Sequence, residues 1–182
     1  ATGVNDNQLR AWNHIGLFTP TLNEANIPGY DKMPATSDTT VPVEARARAY
    51  IDSNCANCHR PGGPSTANFD ARWDTPLASQ GLVNGTVNNN LGTVGAQLIK
   101  PGDLLASVVH RRINTTDAAI KMPPLGRNVI DNAGQALIAD WIRSLGTLPA
   151  PWNSGDIGAV AAAGSANFDA GTGRFTLTGS GA

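Results

Sequence analysis

Charge and cysteine are both scarce in this sequence. Only 15% of its 182 residues are charged and the formal net charge is −1, which removes any electrostatic reason to expect nucleic acid or an anionic membrane as partner. Cysteine occurs twice, at Cys55 and Cys58, so no disulfide framework remains to be found elsewhere. No run is long and apolar enough to span a bilayer, and no secretory leader pattern is visible. Glycine (20) and proline (12) are plentiful, so loops should occupy much of the chain. The apolar fraction of 41% is ordinary for a globular protein, and the length allows one domain with a tail or one enlarged domain.

The two cysteines stand in Cys55-Ala56-Asn57-Cys58-His59, a Cys-x-x-Cys-His run, which is the attachment signature of a c-type haem. Thiols three positions apart lie about one helical turn apart, so both can add to the vinyl groups on one porphyrin edge. The next residue, His59, then sits where its imidazole can reach the iron. The alternatives are half of a zinc site or a redox dithiol. Zinc needs two more Cys or His ligands, and no second pair exists. A dithiol of the thioredoxin kind calls for a βαβ context, which the flanks lack. Covalent haem is attached outside the cytoplasm, so the chain is expected to be a processed or excised fragment of an exported, periplasmic protein.

Before the motif, residues 1–42 read as an extension. Asn5-Asp6 precedes Leu9, Trp12 and Ile15 at helical spacing, giving a short helix that ends at Gly16, with Trp12 as a packing anchor. From there to Thr40 the chain reads as a wrapped loop. A stronger helix runs from about Pro42, a residue suited to a first helical position, into the motif. Val43, Ala47 and Ile51 share its apolar face beside Tyr50, and the small Ala47 would let another helix cross closely. After His59, the segment Arg60-Pro61-Gly62-Gly63-Pro64 is a turn, where a carbonyl is expected to accept the His59 Nδ1 proton. Residues 65–99 are loop-heavy. Phe69 and Trp73 are either haem contacts or ordinary core aromatics.

A second helix is expected from Asp103 to about Ile113. A wheel places Leu105, Val108, Val109 and Ile113 on one face with Arg112 among them, and turns Ser107, His110 and Arg111 away. A charge within an apolar stripe needs a partner. A haem propionate would serve for Arg112, and snorkelling to solvent is the alternative. Next comes Lys121-Met122-Pro123-Pro124-Leu125-Gly126, a rigid loop able to present the Met122 thioether to the second face of the iron. Rival ligands are Met33, His14 and His110. The third helix is capped by Asp131, carries Leu137, Ile138, Trp141, Ile142 and Leu145 at helical spacing, and stops at Gly146. Its Trp141 and Ile142 are expected to cross the Ala47/Ile51 face.

From Pro149 the character changes. Ile157–Ala161 and Arg174–Thr178 read as short strands about the hairpin signal Asp169-Ala170-Gly171-Thr172-Gly173. Two strands alone are marginal, so residues 150–182 either pack on the preceding domain or begin a larger β domain.

Taken together, residues 43–146 resemble a class I monohaem cytochrome c: helix, Cys-x-x-Cys-His, loops, helix, Met-Pro loop, C-terminal helix. The phrases running from Asp103 to Ile113 and from Met122 to Gly126 look like those of cytochrome modules fused to other bacterial extracytoplasmic domains, including quinoprotein-type sugar dehydrogenases. The resemblance covers a little over half of the chain. It implies a mainly α cytochrome c fold over 43–149, thioethers at Cys55 and Cys58, and axial ligands His59 and Met122. It also implies a one-electron carrier, not an enzyme in itself, that serves a redox partner or fused dehydrogenase domain. A haem enzyme or gas sensor with a labile distal ligand is the alternative, as is a carbohydrate- or surface-binding module that carries a haem domain.

Overall fold

The computed structural model describes residues 6–146, 152, 155, 164–169 and 174–179. Their regular elements are mainly helices, with one pair of short strands. The chain divides into two compact units, Ala1–Met33 and Pro34–Ala182, so residues 34–42 fall in the second.

In the first unit, helix α1 spans Gln8–His14. Its cap is Asn7, whose side-chain oxygen accepts from Leu9 N at 2.9 Å, satisfying one of the amides a helix start leaves orphaned. Trp12 is 37% exposed, and the buried residue of this helix is Asn13. The Asn13 side-chain amide donates to Leu22 O at 3.0 Å and its oxygen accepts from Leu22 N at 2.8 Å. The polar side chain therefore anchors this segment where an aromatic was expected to. The segment to Thr40 is also not one loop, because Glu24–Gly29 forms a 3-10 turn.

The second unit is built on a helix crossing. Helix α2, Val43–Cys55, follows Pro42 and buries Ala47, Ala49 and Ile51. Helix α4, Asn132–Leu145, starts where the Asp131 carboxylate accepts from Gly134 N at 3.0 Å and ends at Gly146. It packs on α2, and Ala47, Ile51, Ile138, Trp141 and Ile142 share one core cluster. Ile138, Trp141 and Ile142 have no solvent exposure, and each contributes about 1.5–3 kcal/mol of apolar burial. The approach is closest at Gly134, where an added Cβ would lie 2.2 Å from the Tyr50 ring.

Helix α3 is shorter than its sequence pattern predicts, Val108–Ile113. Residues 101–107 are turns instead. Ser107 Oγ donates to Asp103 O at 2.6 Å, and Asp103 Oδ1 accepts from Ala106 N. These local polar bonds compete with helix formation. Leu105, expected on the apolar face, is 61% exposed, while His110, expected on the polar side, is buried.

The long connection between α2 and α3 has one 3-10 turn, Leu77–Ser79, and is tied down by polar groups. Arg48 donates to Trp73 O and Thr75 O at 2.7 and 2.8 Å, and Asp52 accepts from Trp73 N at 2.7 Å. Backbone bonds from Ile99 N to Leu82 O and from Val108 N to Gln97 O bring Leu98 alongside α3.

Toward the C-terminus, β1 (Ser165–Asp169) and β2 (Arg174–Thr178) form an antiparallel hairpin with Phe168 opposite Phe175. The second strand falls where its alternation places it. Its partner is Ser165–Asp169, and the expected strand at Ile157–Ala161 lies outside the described residues. Among the described residues no helix is long and apolar enough to cross a membrane.

Candidate functional site

Cys55 is the last residue of α2, and the chain turns immediately after it: Cys58 N and His59 N both donate to Cys55 O, at 3.1 and 2.8 Å. The turn keeps both sulfurs and the imidazole at one end of the helix. Both thiols are free, with Cys55 half-buried and Cys58 exposed. Burial, followed by the neighbouring Cys58 and Asp52, pushes the Cys55 thiol up to about 12.

Two contacts fix the His59 ring. Its Nδ1 lies 3.0 Å from Ser65 Oγ, and Phe69 stacks on it with centroids 4.2 Å apart and planes 23° apart. Burial, and then the charge of Arg112, holds the imidazole below its ordinary value, so it is neutral near pH 7. In the tautomer that carries the proton on Nδ1, the ring donates to Ser65 Oγ and the Nε2 lone pair is left for a metal. The partner of Nδ1 is thus a hydroxyl and not a carbonyl of the 60–64 turn. Ser65 is held by its own acceptance from Ala67 N at 3.1 Å.

His59 opens onto a cleft made of two cavities, of about 160 and 360 Å³, that share Cys55, His59, Ser65, Thr66 and Met122. The inner part is walled by Phe69, Leu98, Val108, Val109 and Ile113, with Arg112 among them. The outer part carries Cys58, Pro123 and Pro124. The structure therefore brings Cys55, Cys58, His59, Met122 and Arg112 to a single cleft from three separate stretches of chain. Arg112 is half-buried there, its Nη1 donating to Ile120 O at 2.9 Å, so it does not simply snorkel.

Of the two aromatics, Phe69 lines the cleft, and Trp73 lies beneath the Arg48 guanidinium at 5.1 Å instead. Among the rival ligands, Met33 is 41% exposed and His14 is exposed; both belong to the first unit. His110 is buried, but its Nε2 is held by Gln135 Nε2 at 2.6 Å, and it borders a different cavity.

The donor set fits a c-type haem: two thiols, a neutral imidazole with one nitrogen uncommitted, a thioether, apolar walls and one cation for a carboxylate. Zinc fits less well, because among the described residues no group of three or more His, Cys, Asp or Glu side chains is placed to hold one ion. The chain matches no family model, and neither curated proteins nor solved structures offer a match.

Proposed function

We propose that residues 43–149 form a class I cytochrome c domain that carries electrons for a redox partner or a fused dehydrogenase domain outside the cytoplasm, and that it is not itself an enzyme. The single observation that carries this reading is the convergence of Cys55, Cys58, His59 and Met122 on one apolar-walled cleft. Bound there, the haem supplies a one-electron ferrous/ferric couple.

The chain's own residues do the rest. Cys55 and Cys58 anchor the group through thioethers at the mouth of α2. With its Nδ1 against Ser65 Oγ and Phe69 limiting ring rotation, His59 would offer Nε2 to the metal. Met122 would supply the second protein ligand to the metal, and a thioether donor raises the potential relative to a second histidine. Arg112, the cation that lines the cleft, would pair with a propionate. Leu98, Val108, Val109 and Ile113 keep water from the metal, which limits reorganisation when the charge changes.

The test is a protein matured with the covalent-haem machinery. The expected result is a c-type pyridine haemochrome that survives acid-acetone extraction, the weak far-red band of a ferric iron–thioether bond, and no ready binding of carbon monoxide. Met122→Ala should abolish the band, lower the potential and admit carbon monoxide, while Met33→Ala should do none of this. Haem released by denaturation would overturn the cofactor. Ready carbon monoxide binding by the unmutated protein would overturn the carrier reading in favour of a haem enzyme or gas sensor.

A further inference from the structure

We propose that Arg127 is a positioning residue that holds the Met122 thioether against the metal by clamping the 120–127 loop to the end of α3. The inference rests on the reading of Met122 as the axial ligand. The last carbonyls of any helix lack intrahelical partners, and here one side chain reaches two of them and Thr115 O just beyond. The Arg127 guanidinium donates to Ile113 O and Thr115 O, and to Arg112 O at 3.3 Å. Arg112 O also accepts the backbone amide of Met122 itself, at 2.9 Å. Ligand and clamp therefore meet on one carbonyl oxygen.

Two further bonds run the other way. Arg112 Nη1 donates to Ile120 O at 2.9 Å, and Lys121 Nζ donates to Arg127 O at 2.7 Å. Otherwise the loop is held locally, by Ile120 N and Lys121 N, which donate to Asp117 O at 3.1 and 2.8 Å. Leu125 is 84% exposed and Val129 75%, so apolar burial does not anchor this stretch. The arrangement also has a cost that stability alone does not explain. Among the described residues no carboxylate pairs with Arg127, and its Nε is buried without a partner, an unfavourable state for a cation. A planar fork that reaches several carbonyls at once is a task for arginine, which lysine's single ammonium cannot reproduce.

The experiment uses the haem-loaded full chain with Arg127→Ala and Arg127→Lys, and Met122→Ala as control. It reads the far-red thioether band, the rate of carbon monoxide binding to the reduced protein, and the thermal midpoint. Removing hydrogen bonds made by a charged donor should raise the population of the open loop about tenfold or more. Arg127→Ala should therefore bind carbon monoxide about tenfold faster or more and lose much of the band, with the haem still attached. Arg127→Lys should fall between it and the parent, and it decides the matter if the alanine variant does not accumulate. A merely structural arginine would lower the thermal midpoint without opening the metal. Parental band and carbon monoxide rate in either folded variant would overturn the clamp while leaving Met122 as ligand. A parent protein without the band, unchanged by Met122→Ala, would overturn the ligand and the clamp together.

Discussion

Gly134→Ala probes the helix crossing without touching the cleft. On an open helix this change would stabilise by up to about 1 kcal/mol, since alanine is the better helix former. Here the new Cβ would sit 2.2, 2.3 and 2.5 Å from Cε2, Cζ and the hydroxyl of Tyr50, distances that side chains do not tolerate, so the ring or the helix must shift. Tyr50 has limited room to yield, because it packs against the core cluster and its hydroxyl interacts with Asp131 at the start of the same helix. Overpacking of this kind costs about 1–3 kcal/mol, which outweighs the propensity gain. The expected net loss is about 1–2 kcal/mol, a drop in Tm of about 3–8 °C for a unit of this size. Urea unfolding followed by far-ultraviolet circular dichroism measures it. The same substitution made in a Tyr50→Ala background should be neutral or mildly stabilising, so the cycle should show a coupling of about 1–3 kcal/mol. A stable Gly134→Ala single variant, or an equal penalty in both backgrounds, would refute the crossing geometry.

Three further outcomes are expected. Burial first, and then the Asp131 carboxylate, pushes the Tyr50 phenol up to about 12. A pKa raised above the ordinary value of about 10 contributes stability that is fully present below pH ~10 and lost as pH rises toward ~12; Asp131→Asn, which preserves the helix cap, should lower the phenol's midpoint in an ultraviolet titration and narrow that window. Ser65→Ala should leave covalent haem in place but raise the potential in a redox titration, because an imidazole without its Nδ1 acceptor is a weaker donor; an unchanged potential would mean the hydroxyl does not tune the ring. Trp141→Ala should cost about 3–5 kcal/mol in denaturant unfolding, and Trp141→Phe far less, since the indole N–H is buried with no partner among the described residues and its loss breaks no bond.

The helices that pair across the core were legible because pattern and punctuation agree in them. Asp131 and Gly146 bracket five apolar residues at one period, and α4 begins and ends where they say. Helix α3 was harder. A helix from Asp103 is excluded because Ser107 and Asp103 spend their side chains on the local backbone; the helix begins at Val108, Leu105 falls outside it, and His110 is buried on it. The candidate ligands were readable from the Cys-x-x-Cys-His spacing and the Met-Pro loop, but their supports were not. Ser65 was missed because a carbonyl was sought in the 60–64 turn, and Arg127 because a guanidinium that serves only carbonyls leaves no charge pattern. In the C-terminal segment, the second strand follows its alternation, and its partner is Ser165–Asp169, paired from Ser165 opposite Thr178 to Asp169 opposite Arg174.

The Tyr50–Gly134 contact also has a meaning in terms of chain statistics. The two residues are 84 positions apart, and joining ends so distant carries a closure entropy of about 3.9 kcal/mol beyond a constant term. A group bonded to both His59 and Met122 would act as a cross-link within that span. The shortest path from Tyr50 to Gly134 would then run nine residues to His59 and twelve from Met122, and the closure term would fall by about 1.2 kcal/mol. The prosthetic group would thus shorten the polymer that the two helices must close, and helix docking and metal ligation become two readouts of one cooperative step.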